Sequence, residues 1–190
     1  MNDMTLYNKY RDQMKTGDLL IYCTEGAVSS MIRWWSPNAN HAGMVLELDE
    51  FEGKQNRRWT LEATKNGPRM VFLSSLLSND HGQVWWHQLK PEFASARNAI
   101  GCFALEQQGV IGYDFMALLQ WPFKKVSVDY HKMVCSSYVF LSWRAGGIVA
   151  GEVAPKPSDL PLMGVTMPPV LIIDTQPGDF PTDKIQAVQP

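Results

Sequence analysis

Cysteine is scarce in this chain, and long hydrophobic runs are missing from it. The three cysteines, Cys23, Cys102 and Cys135, lie far apart and form no Cys-x-x-Cys pair, which argues against a disulfide framework and a cysteine zinc site. No stretch reaches the roughly 18 apolar residues of a membrane span, and the polar start of the chain does not resemble a signal peptide. We therefore expect a cytoplasmic protein without an integral membrane segment.

An excess of charge of one sign is also lacking. The 17 basic and 19 acidic residues give a formal net charge of −2 at pH 7. This balance provides no electrostatic reason to expect nucleic acid or an anionic membrane as a partner. The chain has 190 residues, of which 45% are hydrophobic, and can therefore bury one core.

The end of the chain differs in composition from the rest. Residues 154–190 hold eight of the twelve prolines, and proline-rich segments favour extended chain over helix. We predict a domain over residues 1–161 and an extended segment over residues 162–190, in which "PPVLIID" (168–174) is able to pair as an edge strand. The extended segment is also a candidate contact for a protein partner.

Hydrophobic periodicity predicts a strand-rich first half followed by helices. After a short polar helix over 4–15, strands are predicted at 18–23, 41–48, 57–64, 69–73 and 83–89. The Asn66-Gly67 pair predicts a hairpin turn. Further helices are predicted at 26–35, 92–108, 113–121 and from about Lys132. This order indicates an α+β fold with an antiparallel sheet packed against helices.

The stretch "YHKMVCSSYVF" (130–140) places Cys135 in the first turn of a predicted helix. The positive end of the helix dipole, together with Lys132 and His131, favours a thiolate there. Such surroundings lower a cysteine pKa from about 8.5 to about 3.5–7.5, which makes the sulfur a nucleophile near neutral pH. The alternative is a small apolar residue that packs inward beside Val139, because free cysteine is often buried.

The other two cysteines provide a contrast. Cys23 ends an apolar strand, and Cys102 lies within a helix between Gly101 and Phe103. Neither has a charged neighbour in the sequence, so both are predicted to belong to the core.

A nucleophilic cysteine needs a base, and the sequence offers four histidines. His41 opens a strand directly after a turn and precedes two small residues, at a position where a side chain is both held and accessible. His81 lies in a loop, His87 in an aromatic strand, and His131 very near Cys135 along the chain. His41 is therefore the preferred base.

Glu62 is the candidate for the group that orients the imidazole. It lies on the polar face of the strand that follows the His41 strand. If these strands pair, its carboxylate can accept a hydrogen bond from His41. The alternative is a solvated carboxylate paired with Arg58.

Six short motifs occur in an order that resembles a known family. They are "TGDLLIY", "NHAGMVLEL", "TLEAT", "GYDF", "VCSSYV" and "KPSDL". The chain resembles the YiiX-type branch of the NlpC-like cysteine peptidases, whose papain-like fold is circularly permuted so that histidine and glutamate precede the cysteine. The resemblance covers roughly residues 16–161 and implies an antiparallel sheet or half-barrel packed against helices.

The resemblance implies a role for each candidate residue. Cys135 would be the nucleophile, His41 the base and Glu62 its orienting group. Tyr113 and Ser136 would line the pocket, with Tyr113 helping to hold the oxyanion. The implied activity is that of a cysteine hydrolase that cleaves an amide or ester bond without a metal or cofactor. The implied substrates are peptide-like amides, including cell-wall cross-links, and lipid-linked or small amino-acid amides. The alternative is a catalytically idle binding module of the same fold that holds a lipid, an amine or a protein.

Overall fold

The computed structural model describes residues 2–24, 39–48, 57–64, 66–79, 82–109, 135–153 and 155–175. Several expectations lie outside these ranges: the helices at 26–35 and 113–121, the pocket residue Tyr113, and the neighbours of Cys135 at 131 and 132. The same holds for residues 176–190 of the predicted extended segment.

Six strands form the centre of the described molecule, and four helices accompany them. The strands are β1 (Leu19–Thr24), β2 (His41–Glu47), β3 (Arg58–Thr64), β4 (Gly67–Phe72), β5 (Gly82–His87) and β6 (Val170–Asp174). The helices are α1 (Thr5–Tyr10), α2 (Leu73–Asn79), α3 (Arg97–Glu106) and α4 (Cys135–Ala145). Short 3-10 helices span Arg11–Gln13, Pro91–Ala96 and Pro157–Met163.

The strands make one antiparallel sheet in the order β4-β3-β2-β1-β5-β6. This confirms the predicted combination of an antiparallel sheet with helices, whereas the circular permutation of a papain-like fold stays a prediction. Helix α2 was not predicted. Its sequence, "LSSLLSN", begins directly where β4 ends, and its first residue, Leu73, was assigned to the predicted strand at 69–73. None of the helices in the described ranges has the length and hydropathy needed to cross a bilayer.

The sheet is buried on both faces, because apolar side chains alternate into two separate clusters. Leu19 and Ile21 of β1 pack with residues of α3 and α4, while Leu20 and Tyr22 pack with residues of α1 and α2. Successive strand residues point to opposite faces, so each cluster covers one face. Helix α4 is buried from Cys135 to Trp143 and packs on β2 and β3.

Cys102 departs from the prediction that it belongs to the core. It lies in α3 and is exposed, whereas Cys23 and Cys135 are buried. Its sulfur is 3.9 Å from Oδ1 of Asn98, one helical turn earlier. Helix α3 turns Ile100 and Ala104 inward, and Cys102 therefore falls on the outer face of the helix.

Asp18 forms a polar centre within the core. The residue is 0% exposed and its carboxylate accepts four hydrogen bonds, from Lys15 N (2.9 Å), Trp86 Nε1 (2.9 Å), Leu89 N (3.0 Å) and Arg97 Nη1 (2.7 Å). Burial raises the pKa of Asp18, while Arg97 and the two backbone N–H groups act in the opposite direction. Because all four partners are donors, they hold the carboxylate in its ionised form.

The described part of the C-terminal segment belongs to the sheet. β6 pairs with β5, and its Ile172 and Ile173 are buried at 0% and 1% exposure. The 3-10 helix Pro157–Met163 crosses the predicted boundary after residue 161 and buries Leu160. Residues 170–174 thus form the edge strand that the sequence allows.

We expect a chain that ends at Asp159 to lose most of its folding stability. The truncation removes β6 together with the buried side chains of Leu160, Ile172 and Ile173, each worth about 1.5–3 kcal/mol when fully buried. A chain that ends at Thr175 keeps every described element and is the control. The free energy of unfolding in urea compares the two, and equal stability would contradict the structural role of β6.

Candidate active site

His41 is the first residue of β2 and lies opposite Tyr22 of β1. The two rings have centroids 5.3 Å apart at an interplanar angle of 48°. Tyr22 is 1% exposed, and its hydroxyl is 3.3 Å from Oγ1 of Thr60 in β3. A fixed aromatic ring therefore packs against the imidazole, whose side chain is 24% exposed.

Gly43 has no side chain, and this leaves space for Glu62 to approach His41. It lies two residues after His41 on the same face of β2 and directly opposite Glu62 of β3. A Cβ at this position would lie 2.9 Å from Oγ1 of Thr60 and 3.4 Å from Cβ of Glu62. The absence of a side chain lets Glu62 reach diagonally towards His41.

Glu62 is held between two cationic partners. Its Oε2 contacts Nε2 of His41, and its Oε1 accepts a hydrogen bond from Nε of Arg69 (2.8 Å) and lies in ion-pair contact with Nη2 of the same residue (2.6 Å). The Glu62 side chain is 2% exposed. The alternative pairing with Arg58 does not form: Arg58 donates to the Met14 carbonyl (2.6 Å) and to Oε1 of Glu47 (2.9 Å).

Cys135 is the first described residue of α4 and is 1% exposed. It lies close enough to the His41 ring to raise the pKa of this histidine. Since Nε2 of His41 faces Glu62, Nδ1 is the nitrogen left for the sulfur. The structure thus brings together Cys135, His41 and Glu62, which lie far apart along the chain.

Electrostatics favour the charged form of both His41 and Glu62. Burial alone would lower the pKa of His41, but the charges of Glu62 and Cys135 outweigh it and raise this pKa to about 10. Burial alone would raise the pKa of Glu62, but His41 and Arg69 lower it to about 2. At neutral pH the two residues form an imidazolium–carboxylate pair.

The other predicted residues are placed differently. The Ser136 hydroxyl is buried and donates to the Pro155 carbonyl at 2.7 Å, so it fastens the chain after residue 154 to α4; its pocket role stays a prediction. His87 is 2% exposed, and burial lowers its pKa to about 4, which leaves a neutral ring in the sheet.

Arg69 and Tyr22 are neighbours of the site that were not predicted from the sequence. The hairpin supplied a signal for Arg69, because the β3–β4 register pairs Thr64 with Gly67 and therefore Glu62 with Arg69. No comparable signal marked Tyr22, since its position opposite His41 depends on the pairing of β1 with β2.

The candidate site does not suit a metal ion. Both oxygens of Glu62 are engaged by the cations Arg69 and His41. In the described part of the chain, no group of three or more His, Cys, Asp and Glu side chains is placed to hold a metal. We therefore derive no chemistry through a metal at these residues.

Solved structures with a similar fold include the crystal structure of metalloprotein YiiX from Escherichia coli O157:H7, a DUF1105 protein, with a TM-score of 0.54 and 16% sequence identity over 85% of this chain and 89% of that one. No protein-family model and no curated protein matches the chain. The structural comparison supports a YiiX-like fold.

Proposed function

We propose that the protein is a cysteine hydrolase that cleaves an amide or ester bond, with Cys135 as nucleophile, His41 as acid and base, and Glu62 as the group that orients His41. One observation carries the proposal: Nε2 of His41 contacts Oε2 of Glu62, and Cys135 lies close enough to the same ring to raise its pKa. A nucleophile beside a base that a third group orients is the arrangement of covalent acyl-transfer enzymes. Following the sequence resemblance, the proposed substrates are peptide-like amides, including cell-wall cross-links, and lipid-linked or small amino-acid amides.

The first half of the reaction forms a thioester. The Cys135 thiolate bonds to the carbonyl carbon of the substrate, and the carbonyl electron pair moves onto oxygen. When the carbonyl re-forms, the bond to the leaving group breaks and the leaving group takes a proton from the His41 imidazolium. The backbone N–H of Cys135, at the start of α4, is the candidate donor to the oxyanion, with Tyr113 as the second.

The second half releases the product. Neutral His41 takes a proton from water while the water oxygen bonds to the thioester carbon. The carbon–sulfur bond then breaks, Cys135 leaves as a thiolate, and His41 is again the imidazolium. Because Glu62 accepts from Nε2, it stabilises each imidazolium form and holds the ring in place.

We expect iodoacetamide to alkylate Cys135 at a substantial rate well below about pH 8.5, the ionisation range of an ordinary free thiol. The physical reason is the raised pKa of His41, about 10, which keeps the imidazolium charged beside the sulfur through the neutral range. Mass spectrometry of the Cys135 peptide across pH measures the rate. Exposed Cys102 is the internal control in the same sample.

The variant His41→Ala should slow the alkylation of Cys135 below about pH 8.5 and leave the alkylation of Cys102 unchanged. A Cys135 that reacts only at the pH of an ordinary thiol, in wild type as in His41→Ala, would count against the ion pair. If the protein hydrolyses no ester or amide probe and binds a ligand equally well after Cys135→Ser, the idle binding module would replace the hydrolase.

A further inference from the structure

Arg69 lies beside the site without touching its nucleophile or base. It is directly opposite Glu62 in the β3–β4 register, and its side chain is 48% exposed. Nε of Arg69 donates to Oε1 of Glu62 at 2.8 Å, and Nη2 lies 2.6 Å from the same oxygen in an ion pair. Both contacts fall on Oε1 and leave Oε2 for His41, whereas a fork across both oxygens would compete with His41.

We propose that Arg69 is a positioning residue of the Cys135 site: by holding Oε1 of Glu62, it directs Oε2 to Nε2 of His41. The inference rests on the proposed hydrolase function. Within the described residues, every hydrogen bond of the Arg69 side chain ends on Glu62.

The charges of the site explain why Glu62 needs a second partner. The groups that face one another across the described elements are Arg69 from β4, Glu62 from β3, His41 from β2 and Cys135 from α4, with Tyr22 from β1 against the imidazole. In the reactive form the four charges alternate and sum to zero. A carboxylate that is 2% exposed would otherwise carry an unsatisfied oxygen, which favours its protonation or rotation away from His41.

Loss of the Arg69 charge disfavours the thiolate form of Cys135. Removing the cation disfavours negative charge on Cys135 directly, and a Glu62 that turns away from His41 stabilises the neighbouring imidazolium less. We expect Arg69→Met to move the midpoint of the thiolate titration towards higher pH by about one unit, a tenfold change in the ionisation constant. Arg69→Lys keeps the charge but not the planar guanidinium that places Nε and Nη2 against Oε1, so it should reverse only part of the shift.

The experiment follows the ultraviolet absorbance of the thiolate from pH 5 to 11 (roughly the range over which a perturbed cysteine ionises). Each protein is measured against the same protein carrying Cys135→Ser, which isolates the signal of this sulfur and needs no access for a reagent. Arg57→Met is the matched control, because Arg57 is also exposed but stacks over Phe72. Urea unfolding shows whether each variant is folded.

The outcomes separate this inference from the function on which it rests. The inference is supported if the thiolate titration of Cys135 moves to higher pH in Arg69→Met, moves less in Arg69→Lys and does not move in Arg57→Met. A wild-type thiolate present at neutral pH but unchanged in Arg69→Met overturns the role of Arg69 alone. An ordinary thiol in the wild type overturns both the inference and the proposed nucleophile.

Discussion

Replacing Cys135 with serine is expected to lower the hydrolysis of an ester probe such as p-nitrophenyl acetate at least about a thousandfold. Serine has nearly the same shape, but its hydroxyl does not supply the anionic nucleophile that the proposed thiolate–imidazolium pair provides. The initial rate of nitrophenol release, at equal protein concentration, measures the effect.

His41→Ala should cause a loss of similar size, and the double variant should lose little more, because the two residues act as a unit. The matched control is Cys102→Ser, which changes an exposed thiol of α3 and should leave the rate unchanged. Wild-type activity in Cys135→Ser, with all variants folded, would show that the probe is cleaved elsewhere.

Replacing Asp18 with asparagine is expected to destabilise the fold by about 3–5 kcal/mol, the typical effect of breaking a buried ion pair. All four of its partners are donors, so the new amide would direct N–H groups at other N–H groups. It would also leave the charge of Arg97, which is 18% exposed, without its carboxylate. Domains of this size have about 5–15 kcal/mol in total, so a large share of the stability should be lost.

The free energy of unfolding in urea measures this change. Asp12→Asn is the matched control, because the Asp12 side chain is 63% exposed and its ion pair with Arg11 spans 3.5 Å; a change within about 0.5 kcal/mol is expected there. Arg97→Met tests the other half of the pair. A small effect in both Asp18→Asn and Arg97→Met would contradict the central role given to this buried cluster.

Much of the fold and part of the site were accessible from local pattern. Apolar runs of strand length marked β1 and β2, and the alternation of β3 marked its two faces. A histidine at a strand start and a cysteine before an apolar helix are local features as well, which is why His41 and Cys135 could be chosen. The catalytic roles of these residues stay predictions.

Burial was harder to foresee than secondary structure. The face of β3 that carries Arg58, Thr60 and Glu62 looks solvated in the sequence, yet all three residues are buried. Their polar groups are satisfied by partners on other strands and segments, and such pairing leaves no periodic signal. The exposure of Cys102 was missed for a related reason: the orientation of α3 depends on what the helix packs against.

The sequence by itself determined where most of the described strands and helices form and singled out Cys135 and His41 as candidates, because these depend on propensity, spacing and near neighbours. Only the tertiary structure decided that Cys135, His41 and Glu62 meet, that Arg69 and Tyr22 support them, and that Asp18 is satisfied within the core. The physical reason is register: strand order and pairing determine which side chains lie opposite one another, and one residue of slip would turn Glu62 to the other face of the sheet.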